Sequence, residues 1–211
     1  MDTKELKAII EVAEDHNLWI VQDEIYRGTE WDDELSPSMV NYYDKGVTTG
    51  GISKTLGVTG LRIGWIACRD VEFMKKIHAT TMYVTLCTNR LGEILAIRAM
   101  EPETFRRLVK AGRKVGTANL TILKKWMRDH EELSWVEPKA TFCSFPRYGF
   151  DMSSWDFCDR ALKEQQVLLG PGSGFMVEGY VRLGFGSDTD RFKESLQRFD
   201  TFLKSLKHEK A

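Results

Sequence analysis

Apolar positions along this chain follow two periods. Leu6, Ile9, Ile10 and Ala13 repeat at the i, i+3, i+4, i+7 spacing of an amphipathic helix. Asp2-Thr3-Lys4-Glu5 reads as its capping box and Asn17 as its stop. Residues 18–21 (Leu-Trp-Ile-Val) are continuously apolar, the pattern of a strand covered on both faces. Residues 47–52 and 63–68 read as two further strands. Too few residues separate them for a crossover helix, so they are predicted to pair antiparallel within a mixed sheet. Helical spacing returns over 70–80 and 89–100. A long amphipathic stretch then runs over 102–130, with Phe105, Leu108, Val115, Leu120, Leu123 and Met127 apolar.

The second half has its own order: strands near Trp135 and over 140–145, a helix over 153–165, a strand around Arg182 and a terminal helix. That last helix is predicted to bury Phe192, Leu196, Phe199, Leu203 and Leu206, and Gly170-Pro171-Gly172 reads as a turn. The fold class is α/β, with no internal repeat. At 211 residues and 42% hydrophobic, the chain suits one or two globular domains. Its 30 basic and 31 acidic residues are interspersed, which argues against a nucleic-acid stripe. No run reaches membrane-spanning length, and the N-terminus lacks a signal-peptide pattern. Cys68, Cys87, Cys143 and Cys158 form no CxxC pair, which points to a reducing cytoplasm. His16, His78, His130 and His208 are scattered, so no metal site is expected.

The chemistry concentrates in two short segments. Asp23-Glu24-Ile25-Tyr26 follows the first apolar strand. Gly51-Ile52-Ser53-Lys54 closes the second, with Gly60-Leu61-Arg62-Ile63-Gly64 just beyond. These supply an acid, a phenol, an amine and an anion clamp, the set that pyridoxal phosphate asks of a protein. An amine condenses with its aldehyde, which suits Lys54. A carboxylate keeps its ring nitrogen protonated, which suits Asp23 at a strand end. Tyr26 is placed to donate to the phenolic oxygen. A planar bidentate cation suits the phosphate, which Arg62 offers better than a lysine, with Gly57, Gly60 and Gly64 allowing tight turns.

Taken together, these segments resemble the fold-type I pyridoxal-phosphate enzymes, specifically the class I/II aminotransferases, with the fold of aspartate aminotransferase. The resemblance implies Lys54 as the Schiff-base lysine, Asp23 on the ring nitrogen, Tyr26 on the phenolic oxygen and Arg62 on the phosphate. Tyr180-Val181-Arg182-Leu183-Gly184 is similar to the family's late strand, which implies Arg182 on the substrate carboxylate. One departure is Gly51, where the family usually has a serine whose hydroxyl meets the phosphate; Ser53 is the candidate replacement. The implied organisation is 1–102 as the C-terminal part of the large cofactor-binding domain, and 103–211 as the interdomain helix and a small α+β domain. The implied activity moves an amino group between an amino acid and a 2-oxo acid, in a homodimer with its active site at the subunit interface.

The resemblance covers the family's C-terminal half. The N-terminal half it leaves out supplies a phosphate-binding glycine loop, a ring stacked on the cofactor, an asparagine and most strands of the large sheet. A truncated chain and a half-enzyme needing a partner both fit. Plainer readings compete at each position: Lys54 as a solvated charge, Asp23 as a turn residue, Arg62 as an ion-pair partner, Arg182 as a structural strand arginine. The same residues also suit a lyase, a decarboxylase or an aminocyclopropane-carboxylate-synthase-like enzyme, and a non-catalytic interaction module is a third class. A P-loop is excluded by spacing, because Ser53 and Thr48 stand where its glycines belong.

Overall fold

A computed structural model describes residues 1–32 and 34–210. The chain divides into two compact units, Met1–Gly112 and Arg113–Ala211, and the division falls inside one long helix.

In the first unit, α1 (Thr3–Asp15) is capped by Asp2, whose carboxylate accepts from Lys4 N and Glu5 N while Glu5 reaches back. Asn17 takes the left-handed conformation that ends it. Leu6, Ile10 and Ala13 are buried with Met39 and Tyr43, whereas Ile9 lies outside this face and is exposed. Three strands follow: β1 (Ile20–Asp23), β2 (Gly46–Gly51) and β3 (Gly64–Cys68). They form one sheet in the order β1-β2-β3, with β1 parallel and β3 antiparallel to β2, the mixed sheet expected. β1 departs from expectation, because it is not covered on both faces. Val21 lies on the edge strand and is 67% exposed, although its register partner Val47 is 4% exposed and Trp19 stacks on Phe73.

Between β2 and β3 sit a single helical turn, α2 (Ile52–Thr55), and a 3₁₀ turn over Thr59–Leu61. Helices α3 (Val71–Val84), α4 (Arg90–Met100) and α5 (Pro102–Arg128) follow. Ile52 and Leu56 are buried with Ala96 and Ala99, and Phe105 and Leu108 pack against them. α3 buries none of its residues.

The second unit is an α+β layer. Strand pairs β4 (Leu133–Ser134) with β6 (Arg147–Tyr148), and β5 (Cys143–Ser144) with β8 (Val181–Gly184) and β7 (Gly170–Pro171), make two small sheets. Gly170-Pro171 is therefore an edge strand rather than a turn, a place where proline's missing N–H costs no ladder bond. Helices α6 (Ser154–Gln165) and α7 (Thr189–Lys210) close the core. Phe192, Leu196, Phe199, Leu203 and Leu206 are all buried, as the spacing predicts, with Phe157, Val181, Leu183 and Phe185 among them.

Candidate active site

The register brings the first-unit residues to one end of one sheet. Asp23 is the last residue of β1 and pairs with Thr49, two positions before Gly51. Gly51 ends β2 and pairs with Gly64, the first residue of β3. Lys54 lies three residues past Gly51, and Arg62 two residues before Gly64. The carboxyl ends of parallel strands are where α/β sheets place their ligands.

Local packing decides which side chains face outward. In α2, Ile52, Thr55 and Leu56 point into the core, which leaves Ser53 half-buried and Lys54 exposed on the opposite side. Asp23 is exposed, and its Oδ1 accepts from Ile25 N at 3.0 Å, an Asx turn that leads the chain from β1 toward half-buried Tyr26. Among the described residues, neither the Lys54 amine nor the Tyr26 hydroxyl has a hydrogen-bond partner. Arg62 stands in the left-handed region, at φ 56° and ψ 40°, and its Nη1 donates to Thr59 O at 3.2 Å. A non-glycine residue there carries backbone strain of about 1 kcal/mol or more.

The chain carries a brace that its motifs do not disclose. Thr55 is buried, and its hydroxyl faces two carbonyls, Ile25 O at 3.1 Å and Arg27 O at 2.9 Å. One hydroxyl hydrogen is thereby shared across both neighbours of Tyr26, tying the lysine's turn to the tyrosine's loop. Gly28 makes this possible: its φ is +99°, and a Cβ there would come within 2.9 Å of Thr55 Cγ2. Buried Glu30 steadies the same loop, accepting from Gly28 N at 2.7 Å and Ser36 N at 3.0 Å. Glu24, between Asp23 and Tyr26 in sequence, turns away and accepts from Met39 N and Thr48 Oγ1, each at 3.2 Å.

The glycines differ from their sequence reading. Gly57 has φ +72° and turns the chain as expected, and nothing lies within 4 Å of a Cβ built at Gly60. Gly64 is required by the strand pair, since a Cβ there would meet Gly50 O at 2.9 Å. Gly51 is extended and buried, and a Cβ there would meet Ile25 Cδ1 at 3.0 Å and Ile63 O at 3.1 Å. Ile25 occupies the space in which a serine side chain would start.

Arg182 lies in the second unit. It stands on the exposed face of β8, with Nη2 donating to Cys143 Sγ at 3.2 Å. No group of His, Cys, Asp and Glu suited to a metal ion occurs among the described residues, and none of their helices is long and apolar enough to cross a membrane.

Known proteins are similar to this chain in sequence and in fold. An aspartate aminotransferase from Thermotoga maritima is 29% identical over 95% of the chain and 51% of its own length. An aromatic-amino-acid aminotransferase from Thermococcus litoralis is 29% identical over 97% of the chain and 54% of its own. A solved PLP-dependent aminotransferase from Streptococcus suis superposes with a TM-score of 0.90 at 30% identity, over 98% of this chain and 54% of that one. The chain spans about half the length of the curated relatives it matches. The profile of aminotransferase class I and II matches residues 1–199, and the chain belongs to that family.

Proposed function

We propose that this chain is the lysine-bearing half of a pyridoxal-phosphate-dependent aminotransferase acting between an amino acid and a 2-oxo acid. The observation that carries the reading is the gathering of Asp23, Tyr26, Lys54 and Arg62 at one end of one sheet, with the amine and phenol unpartnered among the described residues. This donor set fits the cofactor: a nucleophilic amine, a carboxylate with one oxygen outside the Asx turn, a phenol and an exposed guanidinium.

When bound, pyridoxal phosphate supplies an electron sink for charge at the α-carbon of an attached amino acid. Lys54 would hold the cofactor through Nζ, and its free amine would move a proton at the α-carbon. Asp23 would hold a proton at the ring nitrogen by its negative charge. Tyr26 Oη would donate to the phenolic oxygen. Arg62 would bind the phosphate, and Ser53 would add a hydroxyl to it. Arg182 binds the substrate's α-carboxylate. The two domains of this reading are 1–102 and 103–211. A homodimer belongs to the reading as well, supported by the uncovered apolar residues of α3 and α4. Free thiols at all four cysteines support a reducing, cytoplasmic setting.

The test is a titration of the purified chain with pyridoxal phosphate, following the visible band that marks covalent attachment, beside Lys54→Ala. The expected result is a saturable band, absent in the variant, displaced by an amino acid and restored by a 2-oxo acid. A band of equal size in Lys54→Ala would overturn the assignment of Lys54.

A further inference from the structure

Arg62 is placed by the residues on either side of it. On its C-terminal side Ile63 O accepts from Ile52 N at 3.4 Å, which ties the Arg62 turn to α2, the turn that carries Lys54. On its N-terminal side the Leu61 carbonyl faces α4: a Cβ built at Gly92 would lie 2.8 Å from Leu61 O. Gly92 is buried in the first turn of α4. The helix cap fixes it there, since Gly92 N donates to Asn89 Oδ1 at 3.2 Å and Glu93 N to Asn89 O at 2.9 Å.

The close approach is to backbone, so no side-chain rotation relieves it. The same Cβ would meet Asn89 Nδ2 at 3.1 Å, which leaves little room on the cap side. Val58, Leu61 and Ile63 pack on the cluster of Ile52, Leu56, Ala96 and Ala99, so the turn is seated on α4 on both sides of Arg62. Arg62 itself is exposed, at φ 56°. The Leu61–Arg62 peptide is planar, so a push on Leu61 O turns the whole unit and changes that φ. Of the guanidinium, Nη1 donates to Thr59 O at 3.2 Å, while Nε and Nη2 have no partner among the described residues.

We propose that Gly92 is a positioning residue for Arg62: its missing Cβ lets α4 seat the Leu61–Arg62 peptide in the orientation that presents the guanidinium to the cofactor's phosphate. This rests on the reading of Arg62 as the phosphate arginine. Gly92 acts only through the Leu61 carbonyl. The lysine's turn keeps its own hold, because Thr55 Oγ1 still faces Ile25 O and Arg27 O. An alanine at 92 keeps α4, being the stronger helix former. What it moves is the peptide against which α4 packs. Hydrogen bonds weaken steeply with misalignment, so a small turn of that peptide loosens the grip on an anion.

The experiment titrates the full chain with pyridoxal phosphate and with pyridoxal, which has the same aldehyde and no phosphate. It follows the visible band of covalent attachment in wild type, Gly92→Ala, Arg62→Gln and the double variant, and reads the ratio of the two affinities. Arg62→Gln is expected to lower the preference for pyridoxal phosphate about tenfold or more, the worth of hydrogen bonds to a charged group. Gly92→Ala is expected to lower it roughly threefold to tenfold with pyridoxal unchanged. In the Arg62→Gln background it is expected to add nothing. A ratio lowered by Arg62→Gln but untouched by Gly92→Ala would overturn the inference and keep Arg62. Equal weakening of both compounds by Gly92→Ala, or a loss that persists in full without Arg62, would overturn it too, reducing Gly92 to packing. A ratio that ignores Arg62→Gln, or no band with either compound, would overturn the phosphate reading of Arg62 and this inference with it.

Discussion

The two units spend their apolar residues differently. In the second unit Phe157, Phe185, Phe199 and Phe202 are at most 1% exposed, and the rings of Phe157, Phe199 and Phe202 pack in T-shaped and stacked pairs. In the first unit Tyr83, Leu86 and Leu91 are 92%, 83% and 73% exposed, and Val21 faces out from a strand. A closed core stabilises its own fold. An open one leaves apolar side chains in water, in a chain that spans about half the length of the relatives it matches. The groups proposed to hold the cofactor lie in the open unit, and the proposed carboxylate arginine in the closed one. Substitutions are therefore expected to act very differently in the two.

The largest effect is expected from Phe157→Ala. This ring is fully buried, stacked on Tyr148 at 4.3 Å and edge-on to Phe202 at 5.1 Å. Its loss should cost about 3–5 kcal/mol and lower hydrogen-exchange protection across the second unit. A loss under about 1 kcal/mol would show that the core is not the closed body described.

Next is Thr55→Val, which keeps shape and removes the hydroxyl. Two carbonyls, Ile25 O and Arg27 O, lose their donor, and the expected cost is about 1–2 kcal/mol. Exchange should rise specifically at residues 25–29. Weakened cofactor retention with Lys54 intact should accompany it, measured by the same visible titration. Unchanged exchange in that loop would remove Thr55 from the site's support.

Thr55 also shows where sequence reading stops. Its partners lie 30 and 28 residues away, and a threonine inside Ser-Lys-Thr carries no sign of them. What periodicity reports is burial, so α1 and α7 are legible wherever the covering residues belong to this chain. The apolar run 18–21 is legible as a strand but not as a half-covered one, because its composition suits a sheet with both faces packed. Gly64 is readable as a glycine that must be small. Whether a phosphate or Gly50 O enforces that smallness is a matter of register. The motifs point to the proposed amine, acid, phenol and guanidinium because their short spacings follow the ends of two apolar runs.

A smaller effect belongs to Asp200. Its carboxyl is held below the usual range by hydrogen bonds from Lys204 and then His130, with burial opposing. The sign follows: a lowered folded value gives stability that is present above about pH 3.9 and lost as pH falls through the folded value. Asp200→Asn should cost about 0.5–1 kcal/mol near pH 6, with the gap to wild type closing in acid. A gap that stays constant down to pH 2 would mean that the carboxylate's charge contributes nothing.

The smallest effect tests the open side. Leu91 is exposed on α4, so Leu91→Gln in the isolated monomer should change stability by no more than about 0.5 kcal/mol. If the proposed homodimer covers α4, the substitution weakens dimerisation at high concentration while leaving the dilute monomer unchanged. Sedimentation at two concentrations checks this, and equal association of variant and wild type would remove α4 from the interface. A large loss in the dilute monomer would contradict the exposure itself, because a side chain already in water has little apolar burial to lose.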